Sequence, residues 1–162
     1  MILPNRLKTG SQLETIEIGV DEQHRKRVAG ESSKLLADTY TLYLKTHNYH
    51  WNVVGPMFST LHLLLEKQYT ELALAVGVIA ERIRSLGQPV PGSYRQFSEL
   101  TVILEDVGHP NATEMIRRLV DDNQTVVHAA YACLPLVLEA GDQPMAVCSP
   151  SGNEPTRRLR GC

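Results

Sequence analysis

The chain has 162 residues and no apolar run near the roughly 20 residues that a membrane-spanning helix needs. Its start, Met-Ile-Leu-Pro-Asn-Arg, has neither the apolar core nor the cleavage site of a secretory leader. Cysteine is scarce. The three present (Cys133, Cys148, Cys162) have no metal-binding spacing, and an odd number argues against a disulfide framework. Neither charge dominates: 16 Lys and Arg against 18 Asp and Glu give a net charge of −2, so the balance does not advertise nucleic acid. There are no internal repeats and no low-complexity segments. These absences leave one ordinary domain, with the cytoplasm as its expected compartment.

The informative stretch runs from Thr46 to Glu81. Apolar residues recur at helical spacing before Gly55-Pro56 and again after it, through Phe58, Leu61, Leu65, Leu72, Val76 and Ile79. Proline and the glycine before it cannot continue a helix, so the pattern predicts a helix, a tight turn and a second helix. His50 stands five residues before Gly55 and His62 six after Pro56. An antiparallel hairpin therefore sets both imidazoles at one height. Glu66 follows His62 at i+4, on the same face. Two imidazoles and a carboxylate converging in this way are suited to iron, zinc or manganese. Glu81 lies 15 residues beyond Glu66, roughly 22 Å along a helix rising about 1.5 Å per residue. One chain cannot bring both carboxylates to one ion. A second hairpin packed antiparallel can, so a metal site built here is shared between subunits.

His-Trp-Asn-Val at 50–53, Gly55, His62, Glu66 and Ala-Glu-Arg at 80–82 together resemble the Dps family. These are ferritin-like shells that oxidise and store iron and, in some members, bind DNA. The resemblance runs from about residue 21 to 143. It implies an all-α, ferritin-like four-helix bundle with a short helix in the middle connection. It also implies a dodecameric shell, and ferroxidase activity with peroxide or oxygen as oxidant. In that pattern His50, His62 and Glu66 face a glutamate and an aspartate of a two-fold mate. The glutamate matches Glu81. The aspartate belongs four residues earlier, where this chain has Gly77, which brings no oxygen and weakens a helix by about 1 kcal/mol relative to alanine. The rival intrachain di-iron site draws on Glu-x-x-His pairs, and none occurs in this chain.

Capping and breaking signals place the long helices at 21–53, 57–86 and 112–140, with a short one at 93–100. Asp21 caps the first; Gly87, Pro89 and Pro91 end the second; Asn111 with Glu114 matches a capping box. Pro135 is expected to kink the last. Residues 1–20 read as a mobile tail carrying Arg6, Lys8, Glu14 and Glu17, too balanced for a DNA-binding arm. From Met145 the chain reads MAVCSPSGNEPTRRLRGC, a poor helix where the family has its fourth. Residues 146–162, back-translated with permitted codons and read two nucleotides later, can give Arg-Leu-Leu-Thr-Gln-Arg-Lys-Arg-Ala-His-Glu-Glu-Thr-Ala-Trp-Met-Leu. That resembles the missing helix and points to a shifted reading frame. The expected division is a tail at 1–20, a bundle domain at 21–143 and an irregular tail at 144–162.

Other polar residues read as structural. His24, His47, His109 and His128 are off the matched pattern. Trp51 reads as an anchor at a helix or subunit contact, to which the resemblance adds a role beside the iron site as electron donor or radical trap. Asp121 and Asp122 read as a solvated face, although acidic residues line entry pores in the family. Arg157, Arg158 and Arg160 could touch phosphates only if their frame is genuine. The leading expectation is an iron-oxidising storage and stress-protection protein, impaired by Gly77 and by the altered tail. Its alternatives are a DNA-coating protein with little redox role and a defective product lacking its last helix.

Overall fold

A computed structural model describes residues 19–139. The fold begins at Asp21, whose carboxylate accepts the His24 backbone N–H at 3.0 Å and so satisfies one orphan donor of the helix behind it. That helix, α1, spans Glu22–Asn52. Its buried positions include Val28, Leu35, Leu36, Leu42 and Tyr49, one stripe along its whole length. The chain then reverses through Gly55, whose φ of 107° suits a residue without Cβ. Helix α2 spans Phe58–Ser85. Gly87 ends it with a φ of 79°, its N–H donating to the Arg84 carbonyl at 2.9 Å.

A short α3, Tyr94–Leu100, opens on a capping box between Ser93 and Gln96. The last described helix, α4, spans Ala112–Glu139 with Pro135 inside it. Only half of its expected capping box forms. Asn111 Oδ1 accepts the Glu114 N–H at 3.0 Å, but the Glu114 carboxylate turns to Arg117 and Arg118 at 2.7 and 2.8 Å. Two charge-assisted partners outcompete a single backbone N–H.

Helices α2, α3 and α4 all pack on α1. At the hairpin end Leu42, Tyr49 and Val53 meet Leu61, Leu65, Ile103, Met115 and Leu119. At the other end Val28, Ala29 and Leu36 meet Ile83, Leu86 and Val137. Both α2 and α4 therefore run antiparallel to α1, and the connection from Gly87 to Asn111 has to cross the length of the bundle. It is tied down on the way. The buried Asp38 accepts from the Thr101 hydroxyl at 2.7 Å and the Val102 N–H at 2.8 Å. Near its far end Asp106 accepts from the buried Tyr49 hydroxyl and from Arg118 at 2.5 Å. The fold is an all-α, ferritin-like four-helix bundle. Three long helices and the short one lie among the described residues, and the stretch at 144–162, where a poor fourth helix is expected, lies outside them. Among the described residues no helix is long and apolar enough to cross a membrane.

Candidate metal centre

The reversal at Gly55 brings His50 and His62 into contact, their rings stacked with centroids 3.7 Å apart and planes 24° from parallel. Each ring is held by the other residue's backbone. His50 Nδ1 lies 2.9 Å from the His62 carbonyl oxygen, and His62 Nδ1 lies 3.1 Å from that of His50. A carbonyl oxygen only accepts, so both Nδ1 atoms carry the hydrogen. Each ring so held leaves its other nitrogen, Nε2, for a ligand, the arrangement by which an outer partner orients a metal-binding histidine. Helix geometry frees one of the two acceptors, whereas the His62 carbonyl lies inside α2 and takes the His50 ring in addition to its place in the helix. His50 sits in the last turn of α1, where carbonyls lack an i+4 donor.

His50 is buried and His62 half-buried, and Phe58 stacks on the outer side of His62 at 5.0 Å. Glu66 stands one turn further along α2 with its side chain in solvent. Glu81 is also exposed, 15 residues on along the same helix, so about 22 Å away at 1.5 Å per residue. Among the described residues no three His, Cys, Asp or Glu side chains gather to hold a metal ion. One chain thus presents two oriented nitrogen donors and a neighbouring carboxylate, with Glu81 on a different part of the helix. Gly77, one turn before Glu81, is exposed, and a Cβ added there would meet nothing within 4 Å.

The surroundings of the pair hold two residues that sequence reasoning did not assign to it. His47 lies flat on Tyr69, centroids 4.1 Å apart and planes at 22°, and Tyr69 sets its edge against His50 at 5.2 Å. Burial, and then the neighbouring His50, push the His47 pKa below its ordinary value. Tyr69 follows His62 at i+7 and His47 precedes His50 at i−3, so face-sharing on the two helices could have found both. Trp51 is 62% exposed and touches the His47 ring at 4.1 Å, so it anchors no buried contact inside the chain.

The remaining polar residues divide. His24 Nε2 bonds the Leu136 carbonyl oxygen at 2.8 Å, tying the start of α1 to the end of α4. His109 and His128 are exposed. Asp121 is exposed and lies 3.4 Å from Arg117. Asp122 departs from the solvated face expected for it: its carboxylate lies 2.6 Å from Lys45 Nζ, the side chains only 7% (Lys45) and 14% (Asp122) exposed. A buried ammonium on α1 needs that carboxylate. Arg157, Arg158 and Arg160 lie outside the described residues.

The fold and the paired histidines define a ferritin-like helical protein, and the ferritin-like domain family matches residues 33–148. The chain belongs to the Dps family of ferritin-like proteins. It is 34% identical over 70% of its length to a DNA protection during starvation protein of Brevibacillus brevis, covering 76% of that relative. It is 41% identical over 69% of its length to an uncharacterised low temperature-induced protein of Nostoc, of which it spans 63%. The crystal structure of a Dps protein from Vibrio cholerae O1, described there as a member of a broad superfamily of ferritin-like diiron-carboxylate proteins, superposes with a TM-score of 0.79. Its identity is 30%, with 83% of this chain and 85% of that one covered.

Proposed function

We propose that this protein oxidises ferrous iron at a site shared by two subunits and stores the ferric product, protecting the cell under oxidative stress. The observation that carries the reading is the reciprocal pair of Nδ1–carbonyl bonds, which fixes both rings and leaves their two Nε2 atoms as donors. Iron is the substrate. Imidazole suits its ferrous state, and Glu66 with the partner subunit's Glu81 supplies the hard oxygens that favour the ferric product. With peroxide as oxidant, each of two ferrous ions gives up one electron, the O–O bond takes both and breaks, and two hydroxides result. The ferric ions then hydrolyse, release protons and move into a cavity.

The axial separation of Glu66 and Glu81 supports a two-fold site, and Dps membership supports a closed dodecamer in the cytoplasm. We take residues 21–143 as the bundle domain, flanked by tails at 1–20 and 144–162. Losing the carboxylate at Gly77 slows oxidation more than it weakens binding, because the ferric state depends more on oxygen donors. The test is anaerobic loading with ferrous iron followed by peroxide, read by stopped-flow absorbance of the ferric product. The parent protein is expected to consume iron and peroxide in a two-to-one ratio, and His50→Ala with His62→Ala to do so an order of magnitude more slowly. Equal rates in parent and double variant would overturn the reading.

A further inference from the structure

We propose that Phe58 is a positioning residue of the iron site: its ring closes the outer face of the His62 imidazole and keeps that imidazole from turning over. The use made of the restraint rests on the iron-oxidising reading; the restraint itself does not. Phe58, His62 and His50 form one column of three rings. Phe58 and His62 have centroids 5.0 Å apart and planes at 28°, and His62 and His50 have centroids 3.7 Å apart and planes at 24°. The outer separation lies in the range of favourable aromatic pairs, roughly 4.5–7 Å.

The two histidines are held unequally. His50 is buried, with His62 against one face and the Tyr69 ring edge-on at 5.2 Å. His62 is half-buried, and its Nδ1 bond is the longer of the two, 3.1 Å against 2.9 Å. The last side-chain torsion of histidine is broad and roughly two-fold. A half-turn about it puts ring carbons where Nδ1 and Nε2 stood. That breaks the bond to the His50 carbonyl and takes the Nε2 donor away from its place. A turning ring has to sweep the space on both sides of its plane. His50 fills one side and Phe58 the other.

The turn puts Phe58 there. It precedes His62 by four residues on α2, so both side chains leave one face of the helix. Its backbone N–H donates to the Gly55 carbonyl at 3.0 Å, so the reversal that brings the histidines together also fixes the root of this ring. Core packing does not account for it. Phe58 is 45% exposed and belongs to neither apolar core cluster, and among the described residues its ring meets no aromatic ring but that of His62. An apolar contact with a second copy would need only apolar area at this position, whereas stacking needs a flat ring. Leucine and tyrosine separate the two roles, since leucine keeps the apolar bulk and tyrosine keeps the ring.

The test has one arm without iron and one with it. Magic-angle-spinning NMR of the full-length, iron-free protein, labelled with nitrogen-15 at histidine and held at mildly alkaline pH, reads which ring nitrogen carries the hydrogen. The parent is expected to show His62 as a single Nδ1–H tautomer. Phe58→Leu is expected to give His62 a mixture of both tautomers and leave His50 unchanged, and Phe58→Tyr to match the parent. In anaerobic calorimetry with ferrous iron, affinity is expected to fall several-fold in Phe58→Leu and to stay at the parent level in Phe58→Tyr. A single His62 tautomer retained in Phe58→Leu, a loss in Phe58→Tyr as large as in Phe58→Leu, or equal ferrous affinity in parent and Phe58→Leu would each overturn the proposal. A parent that binds no ferrous iron would contradict the functional reading instead, and the tautomer measurement would still decide whether Phe58 holds the ring.

Discussion

Lys45 on α1 and Asp122 on α4 form an ion pair 2.6 Å long with both side chains almost wholly withdrawn from water. Such a pair adds little relative to an apolar replacement of both partners, but leaving one partner alone is costly. Asp122→Ala is expected to destabilise the protein by about 3–5 kcal/mol, read as a lower urea midpoint at unchanged slope. Lys45→Met with Asp122→Leu should recover most of that loss. A single variant no worse than the double would show the pair to be hydrated in solution.

Acid should loosen the far end of the connection first. Arg117 and then Arg118 hold the Glu114 carboxyl down to about 2, and the Tyr49 hydroxyl, with Arg118 also contributing, holds Asp106 below its ordinary value. Both folded values are depressed. Their stabilisation is therefore complete above the unfolded values near ~4 and is lost as pH falls through the folded ones. The thermal midpoint is expected to hold down to about pH 4 and fall below it. Arg118→Gln, which removes a partner from both carboxylates, should lower the midpoint at neutral pH and make that acid fall smaller. An unchanged acid limb would contradict the assignment.

Much of this architecture is legible in the chain itself. The long helices expected at 21–53, 57–86 and 112–140 are found at Glu22–Asn52, Phe58–Ser85 and Ala112–Glu139. Their signals are local: a capping aspartate, a Gly-Pro turn, a stop glycine, and apolar stripes at helical period. What stayed hidden is long-range. Periodicity says that Asp122 lies on a helix, and nothing in it says that Lys45, 77 residues away, waits opposite. Likewise the spacing of His50 and His62 about the turn predicts that they meet. It does not predict that each will bond the other's carbonyl, one of which stands free at the end of α1 and the other inside α2. The stack of His47 on Tyr69 joins two helices, and each residue taken alone fits a core, so no local pattern announces it.

That crossed bonding makes the two histidines separable. Each Nδ1 is held by backbone, so His62→Ala removes one ligand and leaves the carbonyl that orients His50. Each single alanine variant should therefore keep the fold and lose ferrous affinity by an order of magnitude or more, measured by anaerobic calorimetry. Affinity equal to the parent in either variant would remove that residue from the site.

Restoring the absent carboxylate should help. Gly77 is exposed in mid-helix with open space where a Cβ would go, so Gly77→Asp enters without a clash. Helix propensity alone favours the change by about 0.3 kcal/mol. Faster iron oxidation and tighter iron binding are expected in stopped-flow and calorimetric measurements. A variant that oxidises iron no faster than the parent would show that the site does not use this position.

The most direct measurement is anomalous diffraction at the iron edge from crystals of the assembled protein loaded anaerobically with ferrous iron. A site shared across a two-fold predicts an iron peak at the Nε2 atoms of His50 and His62 and the Glu66 carboxylate of one protomer, facing Glu81 of the partner subunit. Iron bound by one protomer alone, or peaks distant from His50 and His62, would contradict it.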